Sequence, residues 1–415
     1  MASNRVVSLD AKISIPIGML ISNTGNGMYL LAVSVILYRS SGASGMFASL
    51  LVYQAVAVLS MQVFASVGAD RGFAQRLAVT AEIVRAVIVA VGAAGAATGH
   101  TAILVLAGVL LSLVQPFFRT SIFKIGPLIA EGKTLARYNA RTSTFQQLGM
   151  FLGAAAAGWL LTLWTYFPLW INAVSYLASA FFTWIAVVPK QDEGLGGASW
   201  LRSVFRPRQA FEDWRAGIVY IARSKIILGM CAFAAVDLIY VNVINVSYPP
   251  LLKGLELSDH WLSVWDVCFA AGAIAGANIF GYLSILQGRW EVMVLAVAVQ
   301  AGLAVYLVVE SSYLIACFMV IIGVVNSVSV SAFSFYLQTT ASKEMVGRIA
   351  GVRQLFLTMF SAVLMPWLSS GVDESLAVGR LRVAVMGLVA AACIAAMFLI
   401  FRNGYALRMA DKKGP

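Results

Sequence analysis

Six ionisable side chains lie inside long apolar stretches of this 415-residue sequence. Inside a bilayer each such charge costs on the order of a few kcal/mol, so it normally faces another polar group or a water-filled cavity. Residues of this kind form internal ion pairs, bind polar ligands or relay protons. The six are Glu82, Arg85, Arg119, Asp237, Asp266 and Arg353.

Two of these acids are candidates for proton coupling. Asp237 comes about 11 residues into its apolar stretch, or about 17 Å at 1.5 Å per residue, which is near the middle of a bilayer. This depth makes it the first candidate, although neutralisation by an arginine of a neighbouring helix fits equally well. Glu82 is the second candidate. For Glu82 the simpler interpretation is an internal ion pair with Arg85 on the same helix face, shared with Arg119.

Neutral polar residues accompany these charges along the same stretches. Each one alone is as consistent with helix–helix hydrogen bonding as with a ligand site. Together they predict a central wet cavity that holds a polar, amphipathic small molecule. The candidate lining residues are Asn23, Asn26, Tyr29, Arg119, Asn242, Asn245, Asn326, Arg353 and Gln354.

The apolar stretches must position these side chains. The sequence is 60% hydrophobic and only 11% charged, whereas a soluble domain is about a quarter charged. Stretches of about 20 apolar residues, each long enough to cross a bilayer, recur along the chain. They predict an all-α polytopic membrane protein with twelve transmembrane helices over residues 13–37, 45–69, 77–98, 101–123, 143–164, 166–188, 226–249, 261–285, 291–310, 313–338, 347–370 and 379–401.

The basic residues orient these helices. If the N-terminus is cytoplasmic, the outer loops carry only Arg39, Lys253, Arg380 and Arg382, and all other loop and tail lysines and arginines lie inside. Positive residues concentrate in cytoplasmic loops, so both termini are predicted to be cytoplasmic. This topology explains the net charge of +11, and no nucleic-acid partner is predicted.

The longest polar segment divides the chain into two halves. We predict an N-terminal six-helix bundle over residues 1–188, a cytoplasmic amphipathic linker over 189–225, and a C-terminal six-helix bundle with a cytoplasmic tail over 226–415. The linker alternates aromatic and basic residues, which is typical of a helix lying on a membrane surface. Two halves of this kind are typical of secondary transporters with internal repeats.

Equivalent loops of the two halves share a short pattern, "SVGADRGFAQR" at 66–76 and "GYLSILQGRW" at 281–290. The first resembles the G-x-L-A-D-R-x-G-R-R loop of the major facilitator superfamily, whose acid and arginines latch neighbouring helices on the cytoplasmic side. The second copy lacks the Asp-Arg pair. The resemblance implies a conformational latch formed by Asp70, Arg71, Arg76, Gly281 and Arg289.

Other segments add to this resemblance, among them "NTGNGMYLLAVSVILYRSSGASG", "LARYNARTSTFQQLG", "FEDWRAGIVYI" and "EMVGRIAGV". They are similar to the branch of the superfamily that contains enterobactin-type siderophore exporters and macrolide efflux proteins. The resemblance implies a major facilitator fold of two six-helix bundles. It also implies alternating-access export, by proton antiport, of a siderophore or similar amphipathic metabolite.

Alternatives to this function stay open at the level of sequence. Multidrug or macrolide efflux and import of a siderophore-like ligand both use the same architecture. Two features depart from many proton-driven exporters: the fourth span lacks their R-x-x-Q-G pattern, and Ala154 replaces the proline of their glycine-rich motif in the fifth span.

Residues for enzyme chemistry are not evident. The two histidines, His100 and His260, lie in different outer loops, and no paired-cysteine or phosphate-loop pattern occurs. The cysteines lie in apolar spans and predict packing roles. We therefore expect a non-enzymatic monomer of the bacterial cytoplasmic (inner) membrane, without cofactor or metal. Its expected partners are a small-molecule substrate, protons and the lipid bilayer.

Overall fold

The computed structural model shows a helical protein. It describes residues 10–41, 45–189, 205, 207–224, 226–231, 233–234, 237, 255–257, 260–287, 291–302 and 309–357. A five-residue π-helical turn, Ala69–Phe73, joins the second helix to the third. The helices are α1 (Ala11–Ser41), α2 (Gly45–Gly68), α3 (Ala74–Ala97), α4 (Thr101–Ile129), α5 (Gly132–Leu163), α6 (Phe167–Ile185), α7 (Pro207–Arg223), α8 (His260–Tyr282), α9 (Glu291–Gly302), α10 (Ser312–Thr340) and α11 (346–357).

Five stretches of the described residues are long and apolar enough to cross a membrane. The stretch Val56–Ala97 contains most of α2, the π-helical turn and α3, so its 42 residues provide two passes rather than one. The prediction of an all-α polytopic protein is confirmed. The other stretches are Ala11–Leu37, Thr101–Ile129, Ser263–Tyr282 and Ser312–Thr340.

Predicted and observed helix bounds agree within a few residues for α1, α2, α3, α6, α8 and α10. Two helices are longer than predicted: α4 continues from 123 to Ile129, and α5 begins at Gly132 instead of 143. In α5 polar residues extend the helix before its apolar part, and in α4 the helix continues through the charged Lys124 into a further apolar turn, so the apolar runs alone underestimate both lengths. The predicted seventh, ninth, eleventh and twelfth spans lie partly or wholly outside the described residues.

The chain divides into two compact units. The first contains Met1–Gly217 together with Ser342–Leu355, and the second contains Ile218–Ala341 and Phe356–Pro415. In the first unit α1 packs against α5 and α6, and α3 packs against α4 and α6. In the second unit α10 packs against α8 and α9. Most of α11 therefore belongs to the first unit, although it follows α10 in the sequence.

Close packing of α1 against α5 depends on glycine. A Cβ atom at Gly153 would lie 1.9 Å from the carbonyl oxygen of Thr24, and one at Gly149 would lie 2.5 Å from that of Leu20. The two backbones therefore touch directly, as small residues allow between membrane helices. Gly158, the third glycine of the same stretch, has open space where a Cβ would stand.

The surface of α6 separates apolar surroundings from a polar interior. Its exposed apolar residues recur at intervals of three and four, so they form one stripe along the helix. That stripe consists of Val174, Leu177, Phe181 and Trp184. The opposite stripe is polar and buried, and it consists of Asn172, Ser175, Tyr176 and Ser179. This arrangement places hydrogen-bonding groups inside the first unit.

The α1–α5 contact generates a prediction about stability. Gly153→Ala is expected to lower the unfolding temperature of the purified protein, because the added methyl group collides with backbone that cannot turn aside. Overpacking of this kind costs about 1–3 kcal/mol. Gly158→Ala adds the same methyl group to the same helix where there is room, and serves as the matched control. The measurement is the temperature at which half of the protein still elutes as a monodisperse peak. Equal behaviour of the two variants would contradict the packing.

Candidate functional site

The Glu82 carboxylate is fully buried and connects three helices. Its Oε2 lies 3.3 Å from Nη1 of Arg85, one turn further along α3. Its Oε1 accepts hydrogen bonds from the hydroxyl groups of Ser22 in α1 and Ser179 in α6, both at 3.0 Å. The ion pair suggested by the spacing of Glu82 and Arg85 is present, and hydroxyl donors satisfy the second oxygen.

Arg85 extends this network towards α1 and α6. Its Nη2 donates to the Tyr176 hydroxyl at 2.9 Å and to Oδ1 of Asn26 at 3.2 Å. The Tyr176 hydroxyl in turn donates to Oδ1 of Asn26 at 2.6 Å, and the guanidinium lies 4.1 Å from the centre of the Tyr176 ring, a cation–π geometry. We name these six residues the Glu82 cluster: Ser22, Asn26, Glu82, Arg85, Tyr176 and Ser179.

The two other α1 candidates lie beside this cluster. Asn23 is buried, donates to the carbonyl oxygen of Met19 at 2.7 Å, and accepts from Asn26 at 3.4 Å. Tyr29 is buried in an apolar cluster with residues of α2, α3, α4 and α6. Asn23, Asn26 and Tyr29 thus lie within one buried region of the first unit.

Arg119 differs from Arg85 of the neighbouring helix because its side chain is exposed. The exposed apolar residues of α4 include Leu110, and Arg119 follows nine residues later, about two and a half turns at 3.6 residues per turn. Arg119 therefore points away from the apolar surface of α4. It is surrounded by protein, and it lies close enough to Arg85 for their positive charges to repel. Arg119 is thus a solvent-accessible positive charge on the side of α4 opposite its exposed apolar residues.

Among the described residues, no carboxylate forms an ion pair with Arg119. The positive charge of Arg85 is balanced by Glu82, so the region around α3 and α4 carries the excess charge of Arg119. A cation that is open to solvent and lacks a protein counter-ion can bind an anionic group of a ligand.

In the second unit, Asp237 is 6% exposed and accepts a hydrogen bond from Nδ2 of Asn326 at 3.1 Å. This contact brings together two predicted candidates from different helical segments. Asn242 and Asn245, predicted on the same span as Asp237, lie outside the described residues. Arg353 and Gln354 are partly buried in α11.

The Asp70 carboxylate is the most heavily bonded acid of the described residues. Its side chain is fully buried, and Nζ of Lys124 lies 2.7 Å from Oδ1. The backbone N–H of Gly347 donates to Oδ1 at 2.9 Å, and that of Arg348 donates to Oδ2 at 2.7 Å. These two N–H groups belong to the first turn of α11, so Asp70 binds the positive end of the α11 dipole as a capping carboxylate does.

Small residues let α11 approach Asp70. A Cβ at Gly347 would lie 2.8 Å from Oδ1 of Asp70, and a Cβ at Gly351 would lie 2.4 Å from the Cβ of Ser66. Gly72, in the turn after Asp70, has φ of 89°, a left-handed conformation that glycine adopts without strain. The short sequence around Asp70 is therefore shaped for backbone contact with α11.

The linker helix α7 supplies a second acid to this region. Asp213 forms an ion pair with Arg71, and its Oδ1 lies 3.5 Å from Nη2 of Arg348. It thus bridges the arginine beside Asp70 and the arginine whose backbone Asp70 binds. We name the residues Asp70, Arg71, Lys124, Asp213, Gly347 and Arg348 the Asp70 cluster.

A further ion pair lies at the edge of the Asp70 cluster. Lys124 donates to the carbonyl oxygen of Lys343, and Nζ of Lys343 lies 2.9 Å from Oε1 of Glu131. The hydrogen bond and the charge of Lys343 hold the pKa of Glu131 below its ordinary value. Any stability from this pair is therefore present at neutral pH and is lost only as the pH falls through that lowered value.

The remaining loop residues have different surroundings. Gln75 donates to the carbonyl oxygens of Thr183 and Ala186 at 2.9 and 2.8 Å, which satisfies acceptors at the end of α6. In the second copy, Gln287 donates to the carbonyl oxygen of Gly281 at 3.1 Å, at the end of α8. Arg76 is exposed, Gly281 is buried, and Arg289 lies outside the described residues.

Sequence reasoning missed most partners in both clusters. Lys124, Asp213 and Arg348 were counted only as charges or as parts of longer segments, and nothing singled out Ser22, Ser179 or Tyr176. A lysine within the apolar end of α4 was the one available signal, because a buried ammonium group requires a partner.

The family profile of the Major Facilitator Superfamily matches residues 16–366. The chain belongs to this superfamily. It is therefore a multi-pass membrane transporter, which agrees with the predicted fold and points to a transporter rather than an enzyme. No curated protein sequence is significantly similar to this chain.

Solved structures with the same fold include a bacterial homologue of the iron transporter ferroportin in an outward-facing state. It has a TM-score of 0.73 and 15% identity, with 95% of this chain and 100% of that chain covered. The human organic anion transporter MFSD10 has a TM-score of 0.68 and 12% identity, with 94% of this chain and 98% of that chain covered. The Escherichia coli fucose:proton symporter FucP has a TM-score of 0.62 and 12% identity, with 94% of this chain and 98% of that chain covered. At these identities the similarity shows a shared fold.

The Asp70 cluster generates a prediction about coupled charges. Asp70→Asn is expected to destabilise the protein strongly, because Lys124 is left buried without its counter-ion; breaking one side of a buried pair costs about 3–5 kcal/mol. Adding Lys124→Met removes the stranded charge, so the double variant is expected to regain part of the lost stability. Thermal unfolding of the purified protein measures all variants.

Glu131→Gln is the control for this experiment, because Glu131 belongs to an exposed ion pair at the edge of the same cluster. It is expected to leave the unfolding temperature unchanged. If the loss of stability in the Asp70→Asn and Lys124→Met double variant equals the sum of the losses in the two single variants, the two side chains are not coupled.

Proposed function

We propose that this transporter is a secondary exporter that exchanges protons for a siderophore or a similar amphipathic metabolite carrying an anionic group. The observation that carries the proposal is the exposed Arg119, on the side of α4 opposite its apolar surface. A positive charge inside a membrane helix is costly, and it is retained where it binds a substrate or an ion. The anionic group of the substrate would supply the counter-charge that none of the described residues provides.

The Glu82 cluster supports this assignment by keeping neighbouring charges fixed. Glu82 is bonded at both oxygens, and Arg85 is bonded to Glu82, Asn26 and Tyr176. A cluster so fully bonded holds its shape while a ligand enters or leaves. Its role in the proposal is to position α1, α3 and α6 around Arg119, and not to titrate.

Asp237 is the preferred proton-coupling residue. It is buried, and one of its partners, Asn326, carries a neutral amide. An amide donates through its NH2 group to an ionised carboxylate and accepts through its oxygen from a protonated one. The contact therefore suits both protonation states, whereas the Arg85–Glu82 pair favours only the ionised acid.

The Asp70 cluster is proposed to act as the conformational latch. In alternating access, the two halves of a transporter rock around a central site. The N-terminus of α11 is bound to Asp70 by hydrogen bonds to the backbone, and such bonds can break and re-form without rearranging the helix. Opening of the cytoplasmic side would release α11 from Asp70, and closure would restore the contact.

The solved structures of similar fold are compatible with several substrates. Their titles name an iron transporter homologue, an organic anion transporter and a fucose:proton symporter. Anion transport and proton coupling thus both occur on this fold. A macrolide or other lipophilic drug is the second candidate substrate, and import of a siderophore-like ligand is the alternative direction.

Inverted membrane vesicles test the proposal. A catecholate siderophore, a hydroxamate siderophore and a macrolide are supplied outside, with and without an imposed pH gradient. Accumulation of a siderophore that collapses when a protonophore is added supports proton-driven export of an anionic metabolite. Accumulation of the macrolide alone would favour drug efflux. Accumulation only in right-side-out vesicles would establish import.

Arg119 generates the sharpest prediction in this assay. Arg119→Gln is expected to weaken the apparent affinity for an anionic substrate by about 10- to 100-fold, because one charge-assisted hydrogen bond is lost. Arg119→Lys keeps the charge and should retain part of the affinity, with the bidentate geometry lost. A neutral macrolide should be unaffected by either change. Equal loss for anionic and neutral substrates would contradict the assignment of Arg119.

Asp237 generates a separate prediction. Asp237→Asn is expected to abolish accumulation driven by a pH gradient, because the amide cannot bind and release a proton. Exchange of labelled for unlabelled substrate at equal pH should continue, since it needs no net proton movement. Asp266→Asn, at an exposed acid of α8, is the control and should keep gradient-driven transport. Persistent gradient-driven accumulation in Asp237→Asn would exclude this residue as the coupling group.

A further inference from the structure

The linker helix α7 has two chemically different sides. The buried side contains Ala210, Gly217 and Ile221, and Asp213 lies at its edge. A Cβ at Gly217 would lie 3.1 Å from the Cβ of Arg348, so the helix is packed closely where it meets the start of α11. With Asp213 paired to Arg71 and Arg348, this side of α7 is fixed to the Asp70 cluster.

The exposed side of α7 is basic and also apolar. At 100° per residue its exposed side chains fall within less than half of the helix circumference. Three are arginines and one is an acid, which gives this face a net charge of +2 by simple count. Phe211 is 59% exposed and Val219 is 39% exposed. The exposed side chains are Arg208, Gln209, Phe211, Glu212, Arg215, Val219, Ala222 and Arg223.

Contacts before α7 place the helix at a membrane boundary. The ring of Phe205, two residues before α7 begins, lies 5.6 Å from the ring of Phe64 in α2 and 5.6 Å from that of Phe117 in α4. Phe64 is four residues before the end of α2, or about 6 Å along the helix axis. The chain therefore leaves the apolar part of the protein immediately before α7, close to the level at which α2 ends.

We propose that the exposed side of α7 binds anionic phospholipids of the cytoplasmic leaflet. Arg208, Arg215 and Arg223 would contact the headgroups, and Phe211 and Val219 would enter the boundary between headgroups and acyl chains. Basic residues beside exposed apolar residues on one helix face are the features by which interfacial helices bind anionic membranes. A soluble partner would not require α7 to lie near the membrane boundary, where the contacts of Phe205 position the start of this helix. The leaflet follows from the topology that places the linker inside.

This binding would act on the Asp70 cluster through the helix itself. The arginines and Asp213 are carried by the same four turns of α7, so a helix held on the lipid surface also holds Asp213 at a fixed place. The inference concerns the linker and is independent of the substrate assigned above. It can fail while the transport function stands, and the reverse also holds.

A spin label on the full-length protein tests the proposal. The native cysteines are replaced by serine, Ala222→Cys places a nitroxide on the exposed side of α7, and the protein is reconstituted in phosphatidylcholine vesicles with or without phosphatidylglycerol. Collision with oxygen and with a water-soluble nickel chelate reports the depth of the label. Lys133→Cys, at the exposed start of α5, provides a control label with no predicted lipid contact.

With phosphatidylglycerol present, the Ala222 label is expected to move from water to the headgroup–acyl boundary. High salt should reverse this shift, because headgroup attraction is screened. Combining Arg208→Gln, Arg215→Gln and Arg223→Gln should abolish it. These side chains are exposed, so the variant is expected to fold, and an unchanged unfolding temperature checks this. If the triple variant fails to fold, Arg215→Gln alone should reduce the shift and Lys133→Gln should not.

Three results would overturn the proposal. A label that stays in water in both kinds of vesicle shows that α7 does not bind lipid. An equal shift with and without phosphatidylglycerol shows that anionic headgroups are not recognised. A label shielded from both reagents in detergent as well as in vesicles shows that protein, rather than lipid, covers this face.

Discussion

The burial of the Asp70 carboxylate constrains the structure around it more than any other contact described. A buried ionised acid is tolerated only when its charge is neutralised and its oxygen atoms are bonded. Lys124 supplies the charge, and the backbone of Gly347 and Arg348 supplies donors. Each requirement fixes a separate element: α4 must carry the lysine, and α11 must present its N-terminus to the turn after α2. The close approach of α11 then requires Gly347 and Gly351.

The two buried acids of the first unit show different uses of the same chemistry. Glu82 is bonded to an arginine of its own helix and to hydroxyl groups of two neighbours, so it stabilises a permanent contact among α1, α3 and α6. Asp70 is bonded to a segment that lies more than 270 residues away in sequence, at Arg348. A contact made within one bundle can persist throughout transport. A contact to a distant segment can be broken when that segment moves, and this difference separates a structural cluster from a latch.

The sequence was sufficient for the all-α fold, for the membrane helices and for Asp70 and Arg71 as unusual loop residues. Hydrophobic length and the loop pattern are local properties, and each can be read within one stretch of about 20 residues. The partners of Asp70 are not local: Lys124 and Arg348 are separated from it by 54 and 278 residues. Nothing in a single sequence pairs one lysine among many with one acid. The same limit explains why Tyr176 and Asp213 were missed, whereas the Glu82–Arg85 pair, three residues apart, was found.

Asp70 binds the end of helix α11 through backbone N–H groups, and this determines how the proposed latch would respond to movement. Asp70 binds N–H groups that every non-proline residue possesses, so the identity of residue 348 matters less than the position of the helix. Beside the carboxylate itself Gly347 is constrained, because a Cβ there would lie 2.8 Å from Oδ1 of Asp70. In the proposed latch, the segment that Asp70 holds begins at Ser342, and a displacement of the chain at that point would be transmitted to this segment. A latch built on backbone contacts therefore responds to displacement of the chain, which is the quantity that alternating access changes.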